Sequence, residues 1–127
     1  MEGLNKFERA VLAKLLAGDH PLLAELRSQA ERARLASREY TGAGFYCTFE
    51  TPPDVPLLKQ HQDFHFGDVD AKIDGLKHGA GFVVFVRGGR LDTLEGYCYD
   101  EPWPEVIGDF ELSYQSKPRD PQLPKPA

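Results

Sequence analysis

The stretch GFVVFVRGGRLDTLEGY, residues 81–97, constrains the fold more than any other part of the chain. Gly88-Gly89 offers two consecutive residues free to take positive φ, which a two-residue type I′ hairpin loop requires. The flanks then pair antiparallel, with Arg87 opposite Arg90, Val86 opposite Leu91 and Val83 opposite Leu94. Phe82 to Val86 is apolar at every position, so this strand is expected at the centre of a sheet with both faces covered.

Period-two patterning marks the other strands. Phe45, Cys47 and Phe49 alternate with Tyr46, Thr48 and Glu50 until Pro52-Pro53 stops the run. Residues 54–63 read as a loop. In HFGDVDAKIDG, Val69, Ala71 and Ile73 share one face, and Asp68, Asp70, Lys72 and Asp74 share the wet one. Phe64 and Phe66 are in the opposite phase, and Gly67 is the expected site of a bulge that absorbs the shift. Pro102 and Pro104 exclude a regular strand around Trp103. Phe110, Leu112 and Tyr114 alternate as a last strand.

Ahead of Thr41-Gly42-Ala43-Gly44 the period is helical. Asn5 and Glu8 have capping-box spacing, followed by Leu4, Phe7, Val11 and Leu15 on one face, with Leu12 and Leu16. Gly18 ends this helix. Asp19 is expected to cap the next one, with Pro21 in its first turn. Leu22, Leu23, Leu26, Ala30 and Ala33 form its apolar stripe, with Arg27, Glu31, Arg34 and Arg38 elsewhere on it. The short joint predicts a helical hairpin. Helices followed by strands give an α+β fold: an N-terminal helical hairpin packed on a mostly antiparallel sheet of about five strands. Residues 1–116 make a single domain, and the Pro-rich 117–127, KPRDPQLPKPA, is expected to be an extended or disordered tail.

Charge narrows the function. The chain carries −5, which argues against a nucleic-acid binder, since phosphate neutralisation needs clustered Lys and Arg. No apolar run approaches the ~20 residues that span a bilayer. The N-terminus MEGLNKFERA lacks a signal-peptide core, so a cytoplasmic location is expected. Cys47 and Cys98 fit reduced, buried thiols. Asp92, Glu95, Asp100, Glu101, Glu105, Asp109 and Glu111 fall in one segment without Lys or Arg, leaving the remainder with a small positive excess. Clustered carboxylates steer basic partners, and Trp103, Tyr97 and Tyr99 supply aromatic anchors. The candidate binding residues are therefore Glu95, Tyr97, Tyr99, Asp100, Glu101, Trp103 and Glu105. The competing reading has the acids merely pointing outward while Trp103 plugs the core.

Motifs for chemistry are few. His61 and His65 stand four apart, but in a loop entering a strand, where that spacing has no meaning for a metal. Asp68, Asp70 and Asp74 lack the glycine and terminal Glu of a calcium loop. The cysteines sit mid-strand among aromatics, as packing thiols do. No nucleophile elbow and no phosphate loop is present. The sequence thus implies no catalytic residue, no metal and no cofactor. It points to a non-catalytic protein-binding module with a basic protein partner. The alternative is a small-ligand-binding protein or enzyme with a pocket between helices and sheet, using Cys47, Tyr97 or a histidine.

The combination of TGAGFYCTFE, GAGFVVFVRGGRLDTLEGYCYDEPWPE and FELSY resembles a group of small bacterial proteins of unknown function. The resemblance covers the chain apart from its tail and implies no activity and no site residues. As a small acidic α+β protein, the chain is also similar in kind to bacterial immunity proteins, a likeness of fold and composition that implies inhibition of a toxin by binding.

Overall fold

Asn5 and Glu8 set the start of the first helix. In the computed structural model, which describes residues 1–59 and 62–125, α1 spans Lys6–Leu15. The Glu8 N–H donates to Asn5 Oδ1 at 2.8 Å, and the Asn5 N–H donates to Glu8 Oε1 at 3.0 Å, so the expected capping box is formed. Phe7, Val11, Leu12 and Leu15 are buried along one stripe. Helix α2, Pro21–Arg32, is capped by His20 and not by Asp19. Pro21 is the first helical residue, so the cap must directly precede it, and His20 Nδ1 accepts the Leu22 N–H at 3.1 Å. His61, half of the histidine pair weighed for a metal, lies outside the described residues, as do Pro126 and Ala127 of the tail.

The helical reading fails after Arg32. Residues Arg34–Tyr40 form a strand, β1, paired antiparallel with β2, Gly44–Glu50. RLASREY has helix-forming side chains and no clean alternation, so its state is decided by its neighbours. A complete partner follows four residues later, and the Leu35 N–H donates to Glu2 O at 2.7 Å on its other side.

The remaining strands are β3 (Phe64–Phe66), β4 (Val69–Ile73), β5 (Ala80–Arg87), β6 (Arg90–Cys98) and β7 (Phe110–Tyr114). The order is β1-β2-β6-β5-β4-β7, with β3 also on β5, and every strand pairing is antiparallel. Among the described residues the sheet therefore has seven strands and not about five. Two reasons account for the difference: β1 has a helix-like sequence, and the bulged run 64–73 divides at Gly67 into β3 and β4. That division is the expected phase shift, since Phe66 pairs with Val84 but Asp70 with Gly81. Gly67 is required there because a β-carbon would lie 1.9 Å from Phe82 O.

Gly88 and Gly89 have φ of 59° and 73°, matching the two-residue turn, and Arg87 pairs with Arg90 and Val86 with Leu91. Beyond that the register slips between Phe85 and Val86, so Leu94 faces Val84 and not Val83. Asp92 is the extra residue, and its carboxylate is held by Arg87 at 2.7 Å.

Both helices lie on one face of the sheet. Phe7 meets Phe82 and Phe110 at centroid distances of 5.8 and 4.9 Å. Phe45, Cys47, Val69, Phe82, Val84, Leu91 and Leu94 complete a continuous core with α1 and α2. Each such side chain contributes roughly 1.5–3 kcal/mol. The expectation that β5 is covered on both faces is not met. Phe82, Val84 and Val86 are buried, but Val83 and Phe85 are only half-buried on the outer face. Phe85 is flanked there by the His65 ring at 5.7 Å and the Arg87 guanidinium at 5.0 Å.

Residues after β7 form no further helix or strand among those described. Arg119 nevertheless reaches the body of the protein, donating to Asp68 at 2.6 and 2.8 Å and to the carbonyls of Ala17 and Leu15 at 2.7 and 3.1 Å. Asp68, read as a wet-face aspartate, is thereby buried and paired at the end of α1.

Candidate functional site

Both helices cover the same face of the sheet, and the antiparallel registers fix which side chains meet on the other. One cross-strand row runs Glu39–Tyr46–Glu95–Val83 over β1, β2, β6 and β5. The adjacent row runs Tyr97–Gly81–Asp70–Ser113 over β6, β5, β4 and β7. The two rows hold three carboxylates and two tyrosines and no Lys or Arg. Tyr99, just past the end of β6, sets its ring edge-on to Tyr97 at 5.6 Å. Gly81 makes room for Tyr97, whose hydroxyl lies 2.6 Å from where a Gly81 β-carbon would be. Asp70 and Tyr99 also line an open groove of about 840 Å³ that continues past Lys72, Glu111 and Ser113.

The acids raise the pKa of the two tyrosines set among them. The Tyr46 hydroxyl is hydrogen-bonded to the Glu95 carboxylate, which raises its pKa, and the Glu95 and Glu39 charges act the same way. Tyr97 is pushed up to about 12, first by burial, then by its bond to Tyr99 and by the charges of Asp70 and Glu95. Asp70 receives one bond on the surface, from Gln115 Nε2 at 3.1 Å. The Arg87–Asp92 and Arg34–Glu50 ion pairs stand on the same strands, outside the two rows.

Of the seven candidate residues, the fold brings three together here: Glu95, Tyr97 and Tyr99. The others go elsewhere. Asp100 is exposed in a turn at φ 55°. The Glu101 carboxylate clasps the backbone N–H groups of Lys77 at 2.9 Å and His78 at 3.2 Å, which lowers its pKa and closes the β4–β5 connection. Trp103 crosses to the helical side of the sheet, packing on Phe45 at 5.2 Å and Phe7 at 6.2 Å, with its backbone N–H on Gly42 O at 2.7 Å. Glu105 is exposed beside it, on a recess of about 230 Å³ shared with Tyr40 and Glu8. Glu39, Tyr46 and Asp70 complete the surface and were not among the candidates. Tyr46 and Asp70 were legible as outward positions of their strands, whereas Glu39 was hidden by the helical reading of β1.

Both cysteines are buried and hydrogen-bonded. Cys47 is fully buried and donates its S–H to Glu8 Oε2 at 3.3 Å. Burial and the Glu8 charge push its pKa up to about 12, so it stays a thiol. Cys98 donates to Ala43 O and Glu101 O at 3.2 and 3.1 Å. Among the described residues no group of three or more His, Cys, Asp or Glu side chains could hold a metal, and no helix is long and apolar enough to cross a membrane.

No family model, curated protein or solved structure matches the chain. The functional reading therefore rests on this surface alone.

Proposed function

We propose that the protein is a non-catalytic binding module whose outer sheet face receives a basic segment of another protein. The observation that supports this reading is the pair of cross-strand rows in which Glu39, Glu95 and Asp70 stand beside Tyr46 and Tyr97, with no Lys or Arg in either row. Lysine or arginine side chains entering such a surface meet carboxylates for charge and tyrosine faces for cation–π contact. The strands hold these side chains in place before binding, which lowers the entropic cost of association. The binding surface is thus centred on Glu95, Tyr97 and Tyr99, and not on the Trp103 loop. Inhibition of a toxin, as in immunity proteins, is one use of such a surface. Two free, buried thiols suit a reducing compartment, and the cytoplasm is the proposed place of encounter.

The test compares two charge-neutralised proteins against the wild type in affinity capture from an extract of the source organism. One carries Glu39→Gln, Asp70→Asn and Glu95→Gln; the other carries Asp100→Asn and Glu105→Gln. The sheet-face variant should lose its specific, basic partner by about tenfold or more, and the loop variant should keep it. Equal capture by wild type and sheet-face variant rejects this surface.

A further inference from the structure

The two edges of the sheet differ. At β1 the free side is obstructed. Glu2 forms a parallel bridge to Arg34, exchanging bonds with Leu35 N–H at 2.7 Å and Ala33 O at 3.3 Å, and the strand is bulged between Leu35 and Ser37. Arg34, Arg38 and Glu39 add charge along it. Such features prevent one sheet from adding to another.

At β7 the described residues form neither a bridge nor a bulge. Phe110–Tyr114 is a regular five-residue strand, FELSY, whose one partner among the described residues is β4, and it carries a single charge, Glu111, against three on β1. The ladder is flanked by the Gln115 N–H on Asp68 O and the Asp74 N–H on Asp109 O, both at 3.0 Å. By the alternation of an antiparallel pair, Glu111 and Ser113 bond to β4, and the backbone groups of Phe110, Leu112 and Tyr114 point to the open side. The side chains of those same three residues are half-buried, leaving apolar surface at the rim of the core.

We infer that β7 is the dimerisation edge of this protein and that its occupant is β7 of a second copy. An antiparallel pairing about a two-fold axis at Leu112 sets Leu112 opposite its own copy and Phe110 opposite Tyr114. In that register the outward-pointing backbone groups of both strands are the ones that bond, so the ladder closes without a shift. Glu111 falls opposite Ser113 of the second copy and not opposite itself, so the only charge on the strand meets a hydroxyl. Phe110, Leu112 and Tyr114 extend the apolar layer across the join. The two outer faces become one surface, with Asp70 and Ser113 of each copy beside the axis.

The interface is short, so association is weak and is read by sedimentation equilibrium over a wide concentration range. Wild type should pass from monomer to dimer as concentration rises, with hydrogen-exchange protection of the Phe110, Leu112 and Tyr114 amides rising in step. Ser113→Glu sets a carboxylate opposite Glu111 of the other copy, twice per dimer, and should weaken association by about tenfold. Ser113→Lys should strengthen it by about threefold. Circular dichroism and melting of each variant report separately that the fold is intact. A wild type that stays monomeric at every concentration overturns the inference and leaves the edge to an extended peptide of another protein. A dimer indifferent to both Ser113 substitutions overturns it as well.

Discussion

Glu8, in the first turn of α1, receives both Nε and Nη2 of Arg38 from the edge strand β1, so one carboxylate caps a helix and fastens the sheet to it. The Glu8 side chain is 3% exposed and that of Arg38 25%. Burial alone would push the Glu8 carboxyl up, but the Arg38 bonds, the Asn5 N–H and the Cys47 thiol outweigh it and the net shift is downward. The same contact raises Arg38. Replacing Glu8 by Ala leaves a partly buried guanidinium unpaired and should cost about 3 kcal/mol in urea denaturation. Because the folded pKa is depressed, the stabilisation is present above the ordinary carboxylate value of 4.5 and is lost as pH falls through the lower folded value. Glu8→Gln should flatten that acid limb; an unchanged limb would remove Glu8 from the account.

Cys47 offers a chemical check on the same cluster. With its thiol held protonated by burial and by Glu8, the native protein should resist iodoacetamide at pH 8 while the urea-unfolded chain reacts at once. Rapid native alkylation at this position, mapped by mass spectrometry, would contradict the buried placement.

Gln29 is the buried amide that joins α2 to the hairpin turn. Its Nε2 donates to Pro56 O at 3.0 Å and Gly89 O at 2.9 Å, and its Oε1 accepts the Leu91 N–H at 2.8 Å. Gln29→Leu keeps the volume but strands three backbone groups, at a cost of about 3 kcal/mol. Faster exchange of the Leu91 amide should accompany the loss, and a variant as stable as wild type would refute the role.

Arg119 closes the carboxyl end of α1 from the far end of the chain. Its guanidinium also stacks on Tyr114 at 4.3 Å, and Tyr114 donates its hydroxyl to Lys14 O at 2.7 Å. Arg119→Met leaves the Asp68 carboxylate, 5% exposed, without its cation. A loss of about 3 kcal/mol is expected, and a chain shortened after Ser116 should lose at least as much. A shortened chain with unaltered melting would show that residues 117–127 contribute nothing to the body.

Some of the architecture could be read residue by residue. The Asn5–Glu8 box, the Gly88-Gly89 turn and the Gly67 shift each depend on a few adjacent residues, and each is found where the pattern puts it. The strand β1 could not be read this way, because RLASREY is extended only through β2 on one side and Glu2 on the other. The burial of Glu8 is legible in the sequence, since it shares its helix face with Leu4, Val11, Leu12 and Leu15, where a carboxylate must be buried and paired. Glu101 and Trp103 belonged to one acidic, aromatic segment in the sequence. The chain's path around Pro102 and Pro104 turns one into a clamp and sends the other to the core.

The amino-acid order alone determined the period of most elements, the Asn5–Glu8 cap, the Gly88-Gly89 turn, the α+β class and the excess of acids between residues 92 and 111. These follow from interactions within a few residues, where chain geometry leaves little choice. The tertiary structure decided which face stays open, which acids find cations, and which carboxylates join Tyr46 and Tyr97 in two rows. Those outcomes depend on strand registers joining residues some tens of positions apart, and a one-residue slip in any of them would turn every side chain to the opposite face.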